Sequence, residues 1–438
     1  MRPRIHLPVH RGTTAHLASV YPFSVQGTFG YRGAYVGLDL LAGGAEFCFD
    51  PFEAYAEGRV TNPNGWVFGE PGNGKSSLVK CLLWRMAAVY GTGERGRWIA
   101  IADPKGEYVE LARRLGLSVV RLAPGGSVRV NPLAEGPTAA DEPADHRVLR
   151  RAGMVAALVA TVLDRSLTQV EDAALFAVIE ALAARPGVEA TLVDVAALLV
   201  EPTAEMEARL RRSAADLVDD VSPVAYALDK LITRSLRGMF DGRSTVPLRF
   251  DGPGLVLDLS AVPLDSDALP LVMVAAAGWL SQLMAGPGPR RVQVLDEAWA
   301  LLANRHTAGY LQSAFKLGRT YGVANLCIAH RPSDLGAQAD DGTATAKIAA
   351  GLLADSATKI VLRQAPDQLD VATSTLGLTE PERHVVAQLV RGRALWKVGG
   401  RSAVVHHVMA PSETALCDTD SRMLRASGTT SRDDASAA

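Results

Sequence analysis

The fold of this chain is decided by the stretch WVFGEPGNGKSSLVKCLLWRM at residues 66–86. Its first three residues form a short apolar run that predicts a buried strand, and Leu78, Leu82 and Met86 recur at helical spacing. Between strand and helix lies the pattern G-x-x-x-x-G-K-[ST]. In this pattern the glycines turn backbone N–H groups toward phosphate oxygens, the lysine reaches the outer phosphates, and the hydroxyl completes a Mg²⁺ site. We therefore predict a phosphate-binding loop.

The helix that follows the loop presents its positive dipole end to the same anion. A glycine-rich turn without a ligand is the competing interpretation, but strand and helix both lie where the motif needs them. No segment of the type N-K-x-D, which reads guanine, occurs in the sequence, so ATP is the expected nucleotide. The residues predicted to bind it are Gly69, Gly72, Asn73, Gly74, Lys75, Ser76 and Ser77.

Composition describes a globular protein of two or three domains. The chain has 438 residues, of which 48% are hydrophobic and 21% charged. Its formal net charge of -2 gives no global basic field that would indicate nucleic acid or an anionic membrane as a partner. The four cysteines are far apart in the sequence and form no C-x-x-C pair, which argues against a zinc site and a disulfide framework. A reducing, cytoplasmic compartment fits this pattern.

Alternating strand and helix patterns predict an α/β fold with a mostly parallel sheet covered by helices on both faces. Two hairpins are expected at residues 35–50 and 394–408, and Thr379 is expected to begin a helix. Residues 268–280 are apolar throughout, but the run is shorter than the ~20 residues that a bilayer requires. We expect a buried helix there and no transmembrane segment.

The composition changes along the chain and predicts five segments. Between residues 141 and 244, Ala, Leu, Val, Arg and Glu dominate and strand patterns almost vanish, which indicates an all-helical insertion of four to six helices. The last residues are rich in Ser, Thr, Asp and Ala and are expected to be disordered. The predicted segments are an N-terminal strand-containing part (1–60), the first part of an ATPase domain (61–140), the helical insertion (141–244), the second part of that domain (245–411) and the tail (412–438).

Two acids, Asp296 and Glu297, follow the predicted strand at residues 291–295. Ligands of open parallel sheets bind at the carboxyl ends of the strands. Given the phosphate loop upstream, we predict that Asp296 and Ser76 hold Mg²⁺, and that Glu297 is catalytic because it polarises the water that attacks the γ-phosphate. A pair of acids at a strand end is otherwise a common helix cap.

Three further polar residues are candidates for contacting the transferred phosphate. Arg319 is the first candidate for an arginine that stabilises the charge of the transition state, acting on a neighbouring subunit, and Arg363 is the second. Each is as easily interpreted as a solvated surface arginine. His330 ends the next predicted strand and is a candidate phosphate sensor, with a structural hydrogen-bonding role as the alternative.

These residues resemble a known family. The chain is similar to the HerA–FtsK superfamily of RecA-like motor ATPases, and within it to the TraC-like (VirB-type) conjugative ATPases of type IV secretion systems. The resemblance runs from about residue 20 to residue 410. The motifs that carry it are Gly69 to Ser76, Asp103-Pro104-Lys105-Gly106-Glu107-Tyr108, Asn131-Pro132-Leu133, Asp296-Glu297-Ala298-Trp299, Gly318-Arg319-Thr320-Tyr321-Gly322, Arg331-Pro332-Ser333-Asp334-Leu335 and residues 358–364.

The resemblance implies a RecA-like P-loop NTPase fold and a Mg²⁺-dependent ATPase that forms a ring, a homo-oligomer of hexamer type. Such proteins work at the inner face of the cell membrane with the subunits of a secretion channel, and they move DNA or protein. The chain departs from the family at Pro71, Asn73 and His330, where Thr or Ser and, for the last position, Gln are usual. It also has only about 60 residues before the loop. A docking half encoded separately and a free-standing homologue are the two expectations.

Three hypotheses remain open on sequence grounds. The first is an ATPase that energises assembly of, or transport through, a type IV secretion-like apparatus. The second is a DNA-translocating motor, either a coupling protein or a HerA-like translocase, whose hydrolysis DNA would stimulate in a salt-dependent way. The third is an ATP-binding scaffold with vestigial hydrolysis, against which the intact acids at 296 and 297 argue.

Overall fold

The computed structural model describes residues 27–134, 143–185, 187, 189–246, 252–284, 288–302, 305–335 and 344–417. Within these residues, eleven strands form a single sheet with the order β2-β1-β11-β10-β9-β3-β8-β7-β4-β6-β5. In chain order the strands are β1 (Ala34–Asp39), β2 (Ala45–Phe49), β3 (Gly65–Phe68), β4 (Arg97–Asp103), β5 (Ser118–Arg121), β6 (Gly254–Asp258), β7 (Arg290–Leu295), β8 (Val323–Ala329), β9 (Thr358–Val361), β10 (Arg393–Val398) and β11 (Arg401–His407).

The sheet is mixed but mostly parallel. The seven strands from β9 to β5 run parallel to one another. The four strands at the other end, β10, β11, β1 and β2, are added antiparallel. The short strand β3, which precedes the predicted phosphate loop, lies between β8 and β9 near the middle of the sheet. The predicted fold class, an α/β fold with a mostly parallel sheet, is confirmed.

Helices pack on both faces of this sheet. In chain order they are α1 (Pro51–Ala56), α2 (Lys75–Tyr90), α3 (Val109–Leu115), α4 (Ala144–Leu163), α5 (Gln169–Ala183), α6 (Leu192–Val200), α7 (Ala204–Leu210), α8 (Ala214–Lys230), α9 (Ala268–Met284), α10 (Arg305–Tyr321), α11 (Ala344–Ala354), α12 (Leu369–Leu376), α13 (Glu380–Gln388) and α14 (Pro411–Cys417). Apolar side chains of α1, α2, α3 and α14 pack on one face, and those of the remaining helices on the other.

Strand β3 illustrates why both faces are buried. Trp66 and Phe68 point to one face, where their rings stack with centroids 5.6 Å apart, and Val67 points to the other face toward α2. All three are fully buried. A strand buried on both faces is a continuous apolar run without alternation, because each side of the sheet contacts a helix layer. The central position of β3 therefore follows from its composition.

The predicted helical segment contains five α-helices, α4 to α8, followed by a π-helical turn at Leu231–Ser235. Local signals start these helices. The hydroxyls of Thr168 and Thr191 each accept a hydrogen bond from a backbone N–H of the first turn. The backbone N–H of each threonine in turn donates to the carboxylate three residues later, so two free donors at the helix start are satisfied. Their apolar faces bury residues such as Leu158 and Leu182 against one core.

Both predicted hairpins are confirmed. β1 pairs antiparallel with β2, and β10 with β11. β1 also pairs with β11, so the two hairpins join into one antiparallel extension of the sheet. The ring of Trp396 lies 5.0 Å from Phe47 and 5.2 Å from Phe49, which fixes the face on which the hairpins pack.

Helix α9 is the apolar segment that the sequence places inside the protein. It spans Ala268–Met284, and nearly all of its residues are buried under the helices of one face. Across the described ranges, no helix combines the length and apolar character that a membrane span requires. The interpretation of this segment as a buried helix is confirmed.

One expectation about the end of the chain is wrong. Residues 412–417 are not disordered but belong to α14, which packs against α2. Leu416 is buried, and the guanidinium of Arg85 forms two hydrogen bonds with the Glu413 carboxylate. A seven-residue helix carries too few apolar positions to show a period, so long-range packing decides its structure. The remaining predicted tail, 418–438, and residues 1–26 lie outside the described residues.

Arg85 holds this helix and two strand ends together, so its removal should be costly. Besides Glu413 it donates hydrogen bonds to the carbonyls of Tyr35, Val36 and Val408. We expect Arg85→Ala to lower the free energy of unfolding in urea by about 3 kcal/mol, because a nearly buried carboxylate loses its cation.

Arg113→Ala is the matched control, because that arginine pairs with Glu110 at the exposed surface and should leave the unfolding curve almost unchanged. Equal curves for wild type and Arg85→Ala would contradict the role of this ion pair.

Candidate active site

The candidate site lies at the carboxyl edge of the central parallel strands. β3 ends at Phe68, β7 at Leu295 and β8 at Ala329, and the phosphate-loop residues, the two acids and His330 follow these ends directly. The loop entry is tied to both neighbouring strands. Gly69 donates a hydrogen bond to the His330 carbonyl at 3.0 Å, and Leu362 donates one to the Phe68 carbonyl at 2.8 Å.

Two glycines of the loop have backbone conformations that other residues rarely adopt. Gly72 and Gly74 have φ values of 79° and 93°, in the left-handed region that favours glycine. A Cβ atom on Gly69 would approach Cβ of Leu362 to 2.8 Å, so no larger residue fits there. α2 begins at Lys75 without a side-chain cap, and Asn73, Ser76 and Ser77 lie at or beside its first turn. Uncapped N–H groups at a helix start suit a bound phosphate.

Lys75 is folded back onto its own loop. Its ammonium group donates hydrogen bonds to the carbonyls of Gly69 and Glu70, the latter at 3.2 Å, and lies 3.0 Å from Nδ1 of His330. Burial and the nearby charge of Lys105 lower the pKa of Lys75 to about 8. Backbone carbonyls hold this cation in place of anionic oxygens, and a phosphate would be a stronger partner.

Asp296 is buried with one oxygen lacking a partner. Its Oδ1 accepts a hydrogen bond from the Glu297 backbone N–H at 2.9 Å, whereas Oδ2 has no hydrogen-bond partner. Burial, together with the charge of Glu297, raises the pKa of Asp296 to about 7. A buried carboxylate oxygen without a donor is costly unless a cation or water meets it.

Glu297 is the most constrained residue of the site. Its φ of 53° is in the left-handed region, which non-glycine residues adopt mainly where the surroundings force them. One carboxylate oxygen contacts the Lys105 ammonium and lies 3.1 Å from Nε2 of His330, and the other accepts a hydrogen bond from the Trp299 indole. Burial acts to raise the pKa of Glu297, but the contacts with His330 and Lys105 outweigh it and lower the pKa to about 2.

Lys105 is a site residue to which sequence reasoning assigned no role. Asp103 lies at the end of β4, and its carboxylate accepts hydrogen bonds from the backbone N–H groups of Lys105, Glu107 and Tyr108. These bonds form a tight turn that directs Lys105 to Glu297. The signal was present, because this turn is one of the motifs that carry the family resemblance.

The two arginine candidates lie in different places. Arg363 is exposed and follows β9 at the same edge of the sheet as the phosphate loop. Arg319 is exposed at the end of α10, just before β8 begins, and therefore lies at the amino edge of the sheet. The seven residues of β8 separate it from that site by roughly 23 Å, at about 3.3 Å per residue. Arg319 therefore cannot reach the phosphate loop of its own chain.

Two cavities lie among the described residues, one beside the candidate site and one remote from it. One of about 170 Å³ begins at Gly74 and follows Ser77 and Leu78 along α2 to the ends of β10 and β11. The other, of about 750 Å³, lies between α4 and α10 and includes no residue of the phosphate loop. The smaller cavity includes Gly74 and Ser77 of the candidate site, so we assign it to that site although the other cavity is larger.

The residues present fit a nucleotide with Mg²⁺. Within the described ranges no group of three or more His, Cys, Asp or Glu residues could hold a metal by itself. Mg²⁺ commonly takes one or two protein oxygens, with water and phosphate oxygens as its other ligands. The partnerless oxygen of Asp296 and the hydroxyl of Ser76 are suited to such a site.

The raised pKa of Asp296 predicts a pH-dependent penalty on folding. The pKa of Asp296 in the folded state is about 7, above the usual value of 3.8. The contribution of this one group to stability is therefore fully present below about pH 4 and is lost as the pH rises through 7. We expect Asp296→Asn, measured by urea unfolding with EDTA present, to be more stable than wild type by about 1–2 kcal/mol at pH 8. The difference should shrink at pH 5.

Asp265→Asn, which changes an exposed carboxylate, is the control and should show no such pH dependence. An Asp296→Asn effect of the same size at both pH values would contradict a burial penalty on the charged form.

Residues 66–236 match the family model described as the central domain of the helicase HerA. No curated protein sequence matches the chain. The structure of VirB4 from Thermoanaerobacter pseudethanolicus is similar, with a TM-score of 0.70 and 21% identity over 89% of this chain and 100% of that chain.

Two structures of the plasmid coupling protein TrwB are also similar in fold. An unbound form gives a TM-score of 0.55 and 17% identity over 91% of this chain and 92% of that chain. The complex of TrwB with ADP and Mg²⁺ gives a TM-score of 0.53 and 16% identity over 91% of this chain and 93% of that chain. At these identities the likeness concerns the fold.

Proposed function

We propose that the chain is a Mg²⁺-dependent ATPase of the HerA–FtsK superfamily, since residues 66–236 match the model of the HerA central domain. The observation that supports it most is the arrangement at the carboxyl edge of the sheet. There an uncapped helix start, the Lys75 ammonium, the partnerless oxygen of Asp296 and the ionised carboxylate of Glu297 lie together. Phosphoryl transfer depends on such positioned charges more than on covalent steps.

Each residue has a distinct task in this proposal. Lys75 leaves the loop carbonyls and binds the outer phosphates of ATP, while the N–H groups of the loop and of the first turn of α2 bind the others. Glu297 accepts a hydrogen bond from the attacking water and orients it. Because its pKa is about 2, Glu297 is ionised at neutral pH and can accept that bond.

Lys105 and His330 keep Glu297 in place. Both contact the same carboxylate oxygen, and both lie near Lys75, so the four side chains form one charged cluster. A carboxylate with a lowered pKa is a weak base, so its role is to orient water more than to remove its proton. The Lys105 ammonium and the His330 imidazole thus position the Glu297 carboxylate before substrate binds.

Ser76 and Asp296 are the residues that would hold Mg²⁺, which would supply positive charge to offset the charge of the phosphate oxygens. The raised pKa of Asp296 means that a cation there also favours its ionised form.

The placement of Arg319 supports an oligomer. It lies at the amino edge of the sheet, remote from the phosphate loop of its own chain, so it can contact a γ-phosphate only in a neighbouring subunit. Arg363 lies at the loop edge and is the candidate for the same chain. We propose a ring of identical subunits, a hexamer, with the nucleotide between neighbours.

The biological setting belongs to the same proposal. The likeness in fold to VirB4 and to TrwB, a conjugative coupling protein, supports a motor that energises assembly of, or transport through, a type IV secretion-like apparatus at the inner face of the membrane. The partners would be channel subunits, with DNA or protein as cargo. The HerA match favours a second candidate, a motor that translocates DNA.

Removing the proposed phosphate-binding or water-orienting group should abolish turnover. We expect Lys75→Ala and Glu297→Gln each to lower the rate of phosphate release from Mg-ATP by at least about a hundredfold. The matched controls are Lys230→Ala and Glu94→Gln, which change exposed side chains remote from the loop and should retain the wild-type rate.

The two variants should differ in binding. Glu297→Gln retains Lys75, so ATP should still raise its melting temperature, whereas Lys75→Ala should lose that shift. Wild-type hydrolysis by either variant would overturn the proposal, and ATP binding by the wild type without phosphate release would favour the scaffold hypothesis.

DNA separates the two motor hypotheses. If the chain translocates DNA, duplex DNA should stimulate ATP hydrolysis severalfold. This stimulation should fall steeply between roughly 50 and 200 mM salt, because salt screens the contacts with the DNA phosphates. A rate that DNA leaves unchanged at low salt would reject translocation and leave the secretion-type ATPase.

A further inference from the structure

Two cysteines that are remote in the sequence meet beside the phosphate-loop helix. Cys81 lies on α2 and Cys417 at the end of α14, with their sulfur atoms 3.6 Å apart. The Cys417 thiol also lies 3.7 Å from the carbonyl of Ser77, in the first turn of α2. All four cysteines of the chain are free thiols. The pair therefore consists of two reduced sulfurs close enough for an oxidant to join them in a disulfide.

An ion pair fixes the relative position of the two helices. Arg85 lies four residues after Cys81 on α2, and Glu413 lies four residues before Cys417 on α14. The two helices run in opposite directions, and residues four apart lie on one face of a helix. One face of α2 therefore meets one face of α14 in two contacts, Arg85 with Glu413 and Cys81 with Cys417. The thiols are thus held together by a contact that is independent of their own chemistry.

The two thiols differ in exposure and in acidity. The contact with Cys81 lowers the pKa of Cys417, and Ser77 and Lys80 act in the same direction, although burial opposes this. The same contact, with burial, raises the pKa of Cys81. Cys417 is partly exposed and Cys81 is buried. A partly exposed thiol with a lowered pKa beside a protected one is the arrangement of an attacking and a resolving cysteine.

The other two cysteines lack these features. Cys327 is fully buried in β8, and burial raises its pKa. Burial also raises the pKa of Cys48 on β2, and this thiol is half-buried. They serve as internal references for the reactivity of Cys417.

We propose that Cys81 and Cys417 form an oxidative modification site, at which a peroxide converts the two thiols into a disulfide that fastens α14 to the phosphate-loop helix. The geometry that carries the proposal is the 3.6 Å approach of two sulfurs on helices held by a separate ion pair.

The steps balance with hydrogen peroxide as the oxidant. The Cys417 thiolate attacks one peroxide oxygen, an S–O bond forms, the O–O bond breaks, and the departing hydroxide takes up a proton and leaves as water. The Cys81 sulfur then attacks the Cys417 sulfur, the S–O bond breaks, and hydroxide leaves as water with the Cys81 proton. Two thiols are oxidised by two electrons in total, and one peroxide is reduced to two waters.

The disulfide would act on the nucleotide site, an effect that rests on the proposed function. The 170 Å³ cavity beside the phosphate loop has Ser77 and Cys81 on one wall and Val408 and Met409 on another. The segment of Val408 and Met409 leads directly into α14. A covalent bond between α14 and α2 restricts separation of these walls, and we expect oxidation to lower ATP turnover at least about threefold by slowing nucleotide exchange.

The site is tested on the full chain by treatment with hydrogen peroxide near pH 7.5, followed by peptide mass spectrometry without reductant. The expected product is a peptide pair joined by Cys81 and Cys417. The oxidised protein should melt about 5 °C higher than the reduced one, because the bond closes a very long loop, and dithiothreitol should reverse the shift.

The variants separate this pair from general oxidation. Cys417→Ser should prevent the disulfide, Cys48→Ser should leave it unchanged, and Glu413→Gln should slow its formation because α14 is held less firmly. The proposal would be overturned if Cys417 became a sulfinic acid without forming the disulfide. Disulfides to Cys48 or Cys327 that form as fast as the Cys81–Cys417 disulfide would overturn it as well.

Turnover is measured separately on the same samples. Oxidised wild type should hydrolyse ATP at a third of the reduced rate or less and recover with dithiothreitol, and Cys417→Ser should be insensitive to peroxide. A disulfide that forms but leaves turnover unchanged would overturn the regulatory effect. A reduced protein without any ATPase activity would overturn the proposed function, while the peptide map still decides the modification site.

Discussion

The buried carboxylate of Glu297, held between Lys105 and His330, is the interaction on which the candidate site depends. Burying a carboxylate is costly unless cations and hydrogen-bond donors meet it. Here the end of β4 supplies Lys105, the end of β8 supplies His330, and the left-handed backbone of Glu297 brings the carboxylate to both. The parallel packing of these strand ends is therefore required to keep the acid ionised beside the phosphate loop.

The two edges of the sheet carry different parts of the proposed machine. The carboxyl edge carries Lys75, Asp296 and Glu297, whereas the amino edge carries Arg319. In the proposed ring, Arg319 of one subunit would meet the phosphate loop of its neighbour, since the two edges of one chain cannot meet. Helix α14 adds a third element, since it links the end of the sheet to the helix that follows the phosphate loop.

The sequence predicted the features that local patterns determine. The phosphate loop, the buried strand before it and the acids after β7 follow from motifs of a few residues, and the mostly parallel sheet follows from alternating patterns. Contacts between remote segments were out of reach: the meeting of Lys105 with Glu297 and of Cys81 with Cys417 depends on how strands and helices pack. The prediction of disorder at residues 412–417 is wrong for the same reason, because tertiary contacts stabilise a helix too short to show a period.

A crystal structure of the chain with Mg²⁺ and a non-hydrolysable ATP analogue would show directly which groups the Lys75 ammonium contacts. We expect Lys75 to leave the Gly69 and Glu70 carbonyls for the outer phosphates, while Glu297 keeps its contact with Lys105. A nucleotide bound elsewhere, with Lys75 still on the loop carbonyls, would contradict this expectation.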